Sequence, residues 1–453
     1  MRSILRIGKK VALHTLGCKV NYAETSTIAR QFVERGFQIV GADQLCDVYV
    51  LNTCSVTERA DRECRQIIRR ALRHSPDAYV IVTGCYAQLQ PEEITSIDGV
   101  DLILGTKEKF SIFDFTNSFS KQVIPQTFVS CIDEAEEFEF AYSGDVDGRT
   151  RAFLKIQDGC DYVCSFCTIP LARGQSRSRS IEEILNQAEQ IVSHGYKEIV
   201  LTGVNVGDYG RKIGTELFSL MQRLESIDGL ERIRISSIEP NLLTREMVDF
   251  ILSSEKFCNH FHIPLQSGSD TILKSMRRRY LTDSYRELIE YIKRNDSDAG
   301  IGCDVLVGFP GETNQLFEET YRFLVEIPVS YLHVFTYSER EKTPAAGFSD
   351  IIEPRVRADR SERLRMLSKK KRHAFYSSYL GRTLPVLFEH PTSGGMYSGL
   401  TSNYIRVEVE TSRELSNQIH HVTLTEAHDD ICRGVIVGPE VQSYSRVVET
   451  MME

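Results

Sequence analysis

Three cysteines stand in one short run whose spacing suits a metal cluster. Cys160, Cys164 and Cys167 follow the pattern C-x3-C-x2-C. Cysteine thiolates are the usual ligands of iron–sulfur clusters, and a 4Fe–4S cluster normally takes four of them. No fourth cysteine lies nearby in the sequence, so one iron would remain open to another ligand. A structural zinc site requires four ligands, and the nearest histidines are distant in sequence. The run therefore predicts a cluster with an open iron.

Three further cysteines each follow a predicted β-strand near the N-terminus. They are Cys18, Cys54 and Cys85, and the strands are predicted at 11–16, 48–53 and 79–83, with a fourth at 102–104. Helical patterns at 24–34 and 57–73 alternate with these strands, which indicates βαβ units and a parallel sheet. Carboxyl ends of parallel strands share one edge, where open α/β sheets bind ligands. Three thiols on that edge predict a second iron–sulfur site. Buried structural cysteines are the weaker alternative for three equivalent positions.

The composition is that of a globular protein, with 41% hydrophobic and 26% charged residues. We find no signal peptide and no run of about 18 apolar residues, so we predict a cytoplasmic protein without a membrane partner. Because the cytoplasm keeps thiols reduced, we expect the twelve cysteines to bind metal or take part in catalysis rather than to form disulfides. The other six share no spacing and are predicted to be packing residues: Cys46, Cys64, Cys131, Cys258, Cys303 and Cys432.

The central segment, 149–375, repeats a strand–helix pattern six times. Its strands are predicted at 152–157, 198–202, 232–236, 260–264, 302–307 and 331–336. Six βα repeats predict a partial parallel barrel, with two units fewer than the eightfold form, and such barrels place their chemistry at the carboxyl ends of the strands. Polar and glycine residues follow these strands, which predicts a ligand-lined rim.

The remaining segments differ in charge. Residues 1–130 form the first predicted domain, and the linker 131–148 is acidic. The segment 377–446 alternates like short antiparallel strands, at 384–388, 404–409, 422–425 and 434–437, and predicts a small β-barrel. Small barrels often bind RNA, but residues 373–453 hold five basic and ten acidic residues. The basic run 355–372 either contacts a polyanion or forms an exposed helix face.

The cysteine run, with Phe166 before its third cysteine, resembles the motif of the radical S-adenosylmethionine superfamily. The whole chain is similar to the methylthiotransferase family within it. The resemblance is carried by Leu-Gly-Cys-Lys-Val-Asn at 16–21, Asn-Thr-Cys at 52–54, Thr-Gly-Cys at 83–85, Ala-Arg-Gly at 172–174, Pro-Leu-Gln-Ser-Gly-Ser at 264–269 and Gly-Phe-Pro-Gly-Glu-Thr at 308–313. It implies an α/β fold with an N-terminal cluster domain, a radical core and a C-terminal RNA-binding TRAM barrel.

That resemblance implies two 4Fe–4S clusters as cofactors. Cys160, Cys164 and Cys167 would hold the cluster that binds and cleaves S-adenosylmethionine, while Cys18, Cys54 and Cys85 would hold an auxiliary cluster that carries the sulfur to be methylated and transferred. Two molecules of S-adenosylmethionine would be used per turnover, with flavodoxin or ferredoxin as electron donor. From their strand-end positions we predict S-adenosylmethionine contacts at Phe166 (backbone), Gly203, Asn205, Ser236, Glu239 and Gln266.

The sequence around Cys18 is similar to the family members that modify N6-threonylcarbamoyladenosine at tRNA position 37, in the anticodon stem-loop. The alternatives are isopentenyladenosine in tRNA and an aspartate of a ribosomal protein, which the acidic barrel keeps open. A different radical enzyme and a non-catalytic RNA-binding iron–sulfur protein are further alternatives. The threonyl carboxylate would suit a basic pocket, for which the candidates are Lys19, Arg173, Arg177 and Arg278.

Overall fold

The computed structural model describes residues 8–55, 58–135, 138–143, 150–391 and 394–438. They form a six-stranded sheet, a barrel-like pair of three-stranded sheets and a closed five-stranded barrel, in chain order. None of the helices in these ranges is long and apolar enough to cross a membrane. The expected linker 131–148 lies partly outside the described residues, and the expected domain limits stay a prediction.

The N-terminal unit is a parallel sheet with the order β2-β1-β3-β4-β5-β6. Its elements are β1 Lys10–Thr15, α1 Lys19–Glu34, β2 Gln38–Val40, β3 Val48–Thr53, α2 Glu58–His74, β4 Tyr79–Gly84, α3 Cys85–Leu89, α4 Pro91–Thr95, β5 Leu102–Leu104, α5 Ile112–Phe115 and β6 Gln126–Phe128. Apolar cores lie on both faces of the sheet. The strand order reverses between β1 and β3, which is where doubly wound sheets bind ligands.

This unit confirms the predicted parallel sheet and changes some of its limits. Helix α1 begins directly after Cys18 rather than at residue 24, because the polar residues of its first turn are buried rather than exposed. Strands β2 and β6 were not predicted. Each has only three residues, and β6 is fully exposed, so neither leaves an apolar pattern in the sequence.

The central unit contains six parallel strands, as predicted. Its elements are β7 Arg151–Lys155, β8 Gln157–Asp158, α6 Ile169–Arg173, β9 Arg177–Ser178, α7 Ile181–Ser193, β10 Glu198–Thr202, α8 Leu217–Glu225, β11 Arg232–Ile235, α9 Arg245–Ser253, β12 His260–His262, α10 Asp270–Ser275, α11 Thr282–Asn295, β13 Gly300–Val307, α12 Asn314–Glu326, β14 Tyr331–Thr336 and α13 Pro354–Ser377. The sheets β11-β10-β7 and β12-β13-β14 meet at a parallel bridge between Ile233 and Phe257. The short antiparallel pair β8–β9 was not predicted.

The C-terminal unit is a closed barrel with the order β15-β16-β17-β19-β18. Its strands are β15 Thr383–Phe388, β16 Met396–Thr401, β17 Arg406–Glu410, β18 Ile419–Ala427 and β19 Cys432–Ile436. This confirms a small barrel, although β17 and β19 pair in parallel. We did not predict β16, because Ser398 and Gly399 interrupt its apolar pattern. Residues 439–446 of the expected domain lie outside the described part of the chain.

Helix α13 connects the core to the barrel and contains most of the basic run. Several of its cations are used inside the protein: Arg360 donates to the Glu312 carboxylate at 2.7 Å, and Arg363 pairs with Glu318 at 2.7 Å. Arg372 pairs with Asp430 of the barrel. These contacts fix one side of α13 in place, while other cations of the run, such as Arg355 and Arg365, are exposed, so the polyanion contact and the exposed helix face both stay predictions.

Candidate functional site

The three N-terminal cysteines lie at the carboxyl edge of the sheet, around the point where its order reverses. Cys18 precedes α1, Cys54 follows β3, and Cys85 begins α3. Gly17 has a φ of +103°, and a Cβ there would lie 2.6 Å from Cys54 Cβ. Only glycine fits this approach. The loop bearing Cys18 thereby packs directly against Cys54.

Hydrogen bonds hold the ends of these strands together. The Asn21 amide nitrogen donates to the Leu16 carbonyl at 2.8 Å and to the Thr53 carbonyl at 2.9 Å. Thr53 Oγ1 donates to the Thr83 carbonyl at 2.5 Å and accepts from the Tyr86 amide at 3.2 Å. Since these residues flank the cysteines, the network fixes where the three thiols meet.

The second set of cysteines lies in a loop after β8, at the carboxyl side of the core barrel. The Cys160 amide donates to the Gly174 carbonyl at 3.0 Å, and the Cys167 amide to the Cys164 carbonyl at 3.2 Å. Ser165 is buried and anchors the middle of the loop, where its hydroxyl donates to the Ser275 carbonyl at 2.8 Å. The loop is thus tied to the end of α6 on one side and to α10 on the other.

The chemistry of these thiols fits iron binding better than nucleophilic catalysis. Burial raises the pKa of Cys160 to about 11 and that of Cys167 to about 12, and it also raises the pKa of Cys85. A reactive nucleophilic cysteine requires the opposite shift. Iron binds the thiolate and displaces its proton, so a raised thiol pKa does not prevent cluster assembly.

A single metal ion does not fit the described residues, among which no three His, Cys, Asp or Glu side chains converge closely enough to share one. A 4Fe–4S cluster binds each cysteine through a different iron, so its ligands stand farther apart than those of one ion. Three thiols per site therefore suit such a cluster, in which one iron is left for another ligand. Their roles as ligands stay a prediction.

A buried charge network connects the two cysteine sites. Glu24 of α1 contacts Lys155 at 2.8 Å, Lys109 at 2.7 Å and Arg173 at 2.9 Å. Arg173 also donates to Asp158 at 3.0 Å. Burial alone would raise the pKa of Glu24, but the charges of Arg173, Lys109 and Lys155 outweigh it and hold that pKa well below its usual value. The network lies between Cys85 and the loop of Cys160, so it fixes one site relative to the other.

These network residues were not predicted as part of the site, apart from Arg173. A signal was available for Lys155, since a charged residue inside the apolar strand β7 requires a buried partner. The partners themselves could not be found from spacing. Glu24 and Lys155 are separated by 131 positions in the sequence.

Arg278 and Glu239 form a second polar contact beside the core cysteines. The Arg278 guanidinium donates to Cys164 Sγ at 3.2 Å and pairs with the Glu239 carboxylate. Glu239 was predicted to contact S-adenosylmethionine, and one of its carboxylate oxygens pairs with Arg278. Arg278, predicted as a possible carboxylate partner, is engaged within the protein. The same holds for Arg173, and Arg177 donates to the Gln175 carbonyl at 3.2 Å.

Asn205 is the predicted cofactor residue that most needs a ligand. It is buried, and neither its side-chain oxygen nor its nitrogen has a hydrogen-bond partner among the described residues. An unpaired buried amide costs free energy, so a polar group bound at this strand end would stabilise it. Gly203, two residues earlier, leaves room for Gln157, whose Oε1 would lie 2.9 Å from a Cβ there.

The other predicted cofactor residues lie around the same rim. Phe166 and Gln266 line a cavity of about 220 Å³ together with Cys167 and Asp304. Gln266 has a φ of +66°, a strained conformation for a residue with a side chain. Ser236 follows β11, and its amide donates to the Leu201 carbonyl at 3.0 Å. The structure therefore places these residues near the cysteine loop, and their contacts with S-adenosylmethionine stay a prediction.

Comparison with known proteins agrees with this site. The Radical SAM superfamily model matches residues 154–324, which include the core cysteines. A second model, described as uncharacterized protein family UPF0004, matches residues 10–105, which include the N-terminal cysteines. A Bacillus subtilis protein named threonylcarbamoyladenosine tRNA methylthiotransferase MtaB is 42% identical over 92% of this chain and 94% of its own length. The chain belongs to the radical S-adenosylmethionine methylthiotransferase family.

Other relatives widen the range of substrates within the family. An Aquifex aeolicus protein with the same name is 38% identical over 90% of this chain and 99% of its own length. A Protochlamydia amoebophila protein named tRNA-2-methylthio-N(6)-dimethylallyladenosine synthase is 33% identical over 85% of this chain and 86% of its own length. The predicted enzyme class, a radical transferase that uses 4Fe–4S clusters and S-adenosylmethionine, is confirmed. Which adenosine it modifies is left open.

A solved structure supports the fold. The radical S-adenosylmethionine methyltransferase TsrM of Kitasatospora setae, with cobalamin and a 4Fe–4S cluster bound, aligns with 75% of this chain and 77% of its own at a TM-score of 0.53. The sequences are 13% identical. The likeness therefore concerns the arrangement of sheet and barrel only.

Proposed function

We propose that this enzyme adds a methylthio group to carbon 2 of N6-threonylcarbamoyladenosine at position 37 of tRNA, in the cytoplasm. The observation that carries the proposal is the pairing of two cysteine triplets in one molecule, joined by the buried network around Glu24 and Arg173. One triplet suits a radical-forming cluster and the other a sulfur-carrying cluster. The names of the relatives in Bacillus subtilis and Aquifex aeolicus favour the threonylcarbamoyl substrate.

Each part of the chain has a task in this proposal. Cys160, Cys164 and Cys167 hold the first cluster, and Cys18 with its two partners holds the auxiliary one. When bound, the clusters and S-adenosylmethionine supply the 5′-deoxyadenosyl radical and the methylated sulfur, which is chemistry that cofactors carry and the protein directs. The unpaired amide of Asn205 binds a polar group of S-adenosylmethionine at the barrel rim.

The protein residues then contribute position rather than proton transfer. The network around Glu24 holds the two cysteine sites at a fixed separation, so the radical and the sulfur donor reach the same carbon atom. The loop anchored by Ser165 keeps the core cysteines beside the 220 Å³ cavity lined by Phe166 and Gln266. The anticodon stem-loop of tRNA is the proposed partner, and flavodoxin or ferredoxin the proposed electron donor.

Mass spectrometry of bulk tRNA nucleosides tests the substrate. A strain lacking the gene should lose 2-methylthio-N6-threonylcarbamoyladenosine, accumulate its unmethylthiolated precursor, and regain the product when the wild-type gene is restored. Loss of the methylthiolated isopentenyl nucleoside instead would favour the activity named for the Protochlamydia amoebophila relative. Unchanged tRNA nucleosides would refute the proposal and direct the search to a ribosomal protein.

A further inference from the structure

One lysine extends from the N-terminal unit into the interior of the core barrel. Lys19 directly follows Cys18 and begins α1. Its ammonium lies within electrostatic reach of Tyr404, Arg151, Arg234 and Asp304, which belong to the core and to the C-terminal barrel. Within the described ranges it has no hydrogen-bond or ion-pair partner. Lys19 is therefore a cation whose contacts inside the protein are incomplete.

The neighbouring cations differ from Lys19 in this respect. Arg234 pairs with Glu198 at 2.9 Å, and Arg151 pairs with Glu389 at 3.0 Å. The three arginines that the sequence suggested as carboxylate partners are also engaged within the protein, as described above. Of the four basic candidates, Lys19 is thus the one whose side chain forms no hydrogen bond or ion pair among the described residues, although Arg177 also keeps an Nε without a partner there.

An acidic group faces Lys19 from the inner face of the core barrel. Asp304 of β13 is 2.9 Å from the ring nitrogen Nε2 of His262 on β12. Cys303 and Phe261, the sequence neighbours of Asp304 and His262, pack in the core beneath the helices, so Asp304 and His262 point into the barrel. The barrel interior thus contains a lysine without a hydrogen-bond or ion-pair partner among the described residues and, within its electrostatic reach, a carboxylate.

The space beside these groups continues to the radical site. Asp304 lines the 220 Å³ cavity that also includes Cys167 and Phe335. Phe335 lies on β14, the edge strand of its sheet, and its side chain is 46% exposed, which leaves an apolar surface at the mouth. A ligand could therefore stack an aromatic base near the cysteine loop and extend a polar substituent toward Lys19 and Asp304.

The C-terminal barrel packs tightly against the core beside Lys19. Tyr404 has a φ of +74°, and its ring stacks on His260 with centroids 4.2 Å apart. A Cβ at Gly300 would lie 2.0 Å from the Asn403 carbonyl oxygen, so the segment is inserted tightly. The surroundings of Lys19 therefore include residues of the core and of the C-terminal barrel, and the barrel contributes a residue in a strained conformation.

We propose that Lys19 binds the carboxylate of the N6-threonylcarbamoyl group, while Asp304, held by His262, accepts a hydrogen bond from the N–H or hydroxyl groups of the same substituent. This inference rests on the proposed function. An isopentenyl group has neither charge nor donors, so it would desolvate Lys19 and Asp304 without giving either of them a polar partner. Sites built from polar groups reject ligands that cannot pair with them. Lys19 is thereby a specificity-determining residue.

The test compares two RNAs on enzyme with both clusters loaded. One anticodon stem-loop carries N6-threonylcarbamoyladenosine, and the other carries its neutral carboxamide. Affinity and kcat/KM are measured for wild type, Lys19→Met, Lys19→Arg and the control Lys274→Met, which changes an exposed lysine of α10. Wild type and the control should prefer the carboxylate by about tenfold or more, the range expected of a charge-assisted hydrogen bond.

Lys19→Met should bind the two RNAs equally while keeping wild-type iron content and cleavage of S-adenosylmethionine, and Lys19→Arg should retain most of the preference. A Lys19→Met enzyme that still prefers the carboxylate overturns the inference but leaves the proposed function standing. A wild-type enzyme that modifies neither RNA refutes the proposed function, and the inference with it.

Discussion

The two cysteine sites are built in opposite ways. Cys160, Cys164 and Cys167 lie in one loop, and their backbone contacts come from that loop and its immediate neighbours. Cys18, Cys54 and Cys85 lie on three separate strand ends and meet only because the sheet is parallel. The candidate ligands of the first site are therefore close in sequence, in a loop that Ser165 anchors to α10, whereas the second set depends on the complete N-terminal fold. Disruption of one should leave the other intact.

The largest expected effect is at the local site. Cys164→Ala removes one of three predicted ligands, so reductive cleavage of S-adenosylmethionine should fall to background. The auxiliary cluster should still assemble, because its ligands lie on other elements. Single-turnover assays for 5′-deoxyadenosine, with optical and EPR spectra of the reconstituted protein, check both statements. Retained cleavage would contradict the assignment.

The converse variant is Cys54→Ala. Methylthio transfer should be lost, because the sulfur-carrying cluster loses a ligand, while cleavage of S-adenosylmethionine continues. The measurement is product RNA and 5′-deoxyadenosine in the same reaction. If cleavage also disappeared, the two sites would not be independent, and the distinction between local and distributed construction would fail.

A smaller effect is expected in the network between the sites. Glu24→Gln removes the carboxylate that faces Lys109, Lys155 and Arg173, leaving buried cations without their counter-charge. Breaking such a pair typically costs about 3–5 kcal/mol. The free energy of unfolding, measured by denaturant titration, should fall by that amount. Asp298→Asn, in the exposed pair with Arg382, is the control and should cost less than about 1 kcal/mol.

The same variant predicts a pH dependence. The pKa of Glu24 in the folded protein is depressed below its usual value. The Glu24 carboxylate therefore contributes its full stabilisation above the unfolded-state pKa of about 4.3. That stabilisation is lost as the pH falls through the folded-state pKa. The difference in stability between wild type and Glu24→Gln should therefore narrow on acidification. A difference that stayed constant down to acid unfolding would show that the carboxylate charge is not what stabilises the network.

The smallest effect is expected at Cys131. We predicted packing for it along with five other cysteines, but its side chain is exposed, so that prediction is wrong for this residue. Cys131→Ser should change the unfolding free energy by no more than about 0.5 kcal/mol and leave iron content and both activities unchanged. A loss of iron would mean that a seventh cysteine takes part in one of the sites.

The contrast between the sites also explains what the sequence could predict. The cluster site at 160–167 could be predicted from the spacing of its cysteines alone. The N-terminal triplet required the strand pattern as well, which was strong because β3 and β4 are fully buried apolar runs. The network around Glu24 could not be found, because its members are brought together by packing between units. The sequence could not separate the four candidate carboxylate partners for the same reason. Only the structure shows that Arg173, Arg177 and Arg278 already form hydrogen bonds within the protein.

Counting iron and labile sulfide per chain in anaerobically reconstituted enzyme tests the central claim most directly. Wild type should hold about eight irons, because each 4Fe–4S cluster contributes four. Replacing all three core cysteines by alanine should leave about four, and replacing all three N-terminal cysteines should also leave about four. About four irons in the wild-type enzyme, or a complete loss in either variant, would contradict the account of two independent clusters.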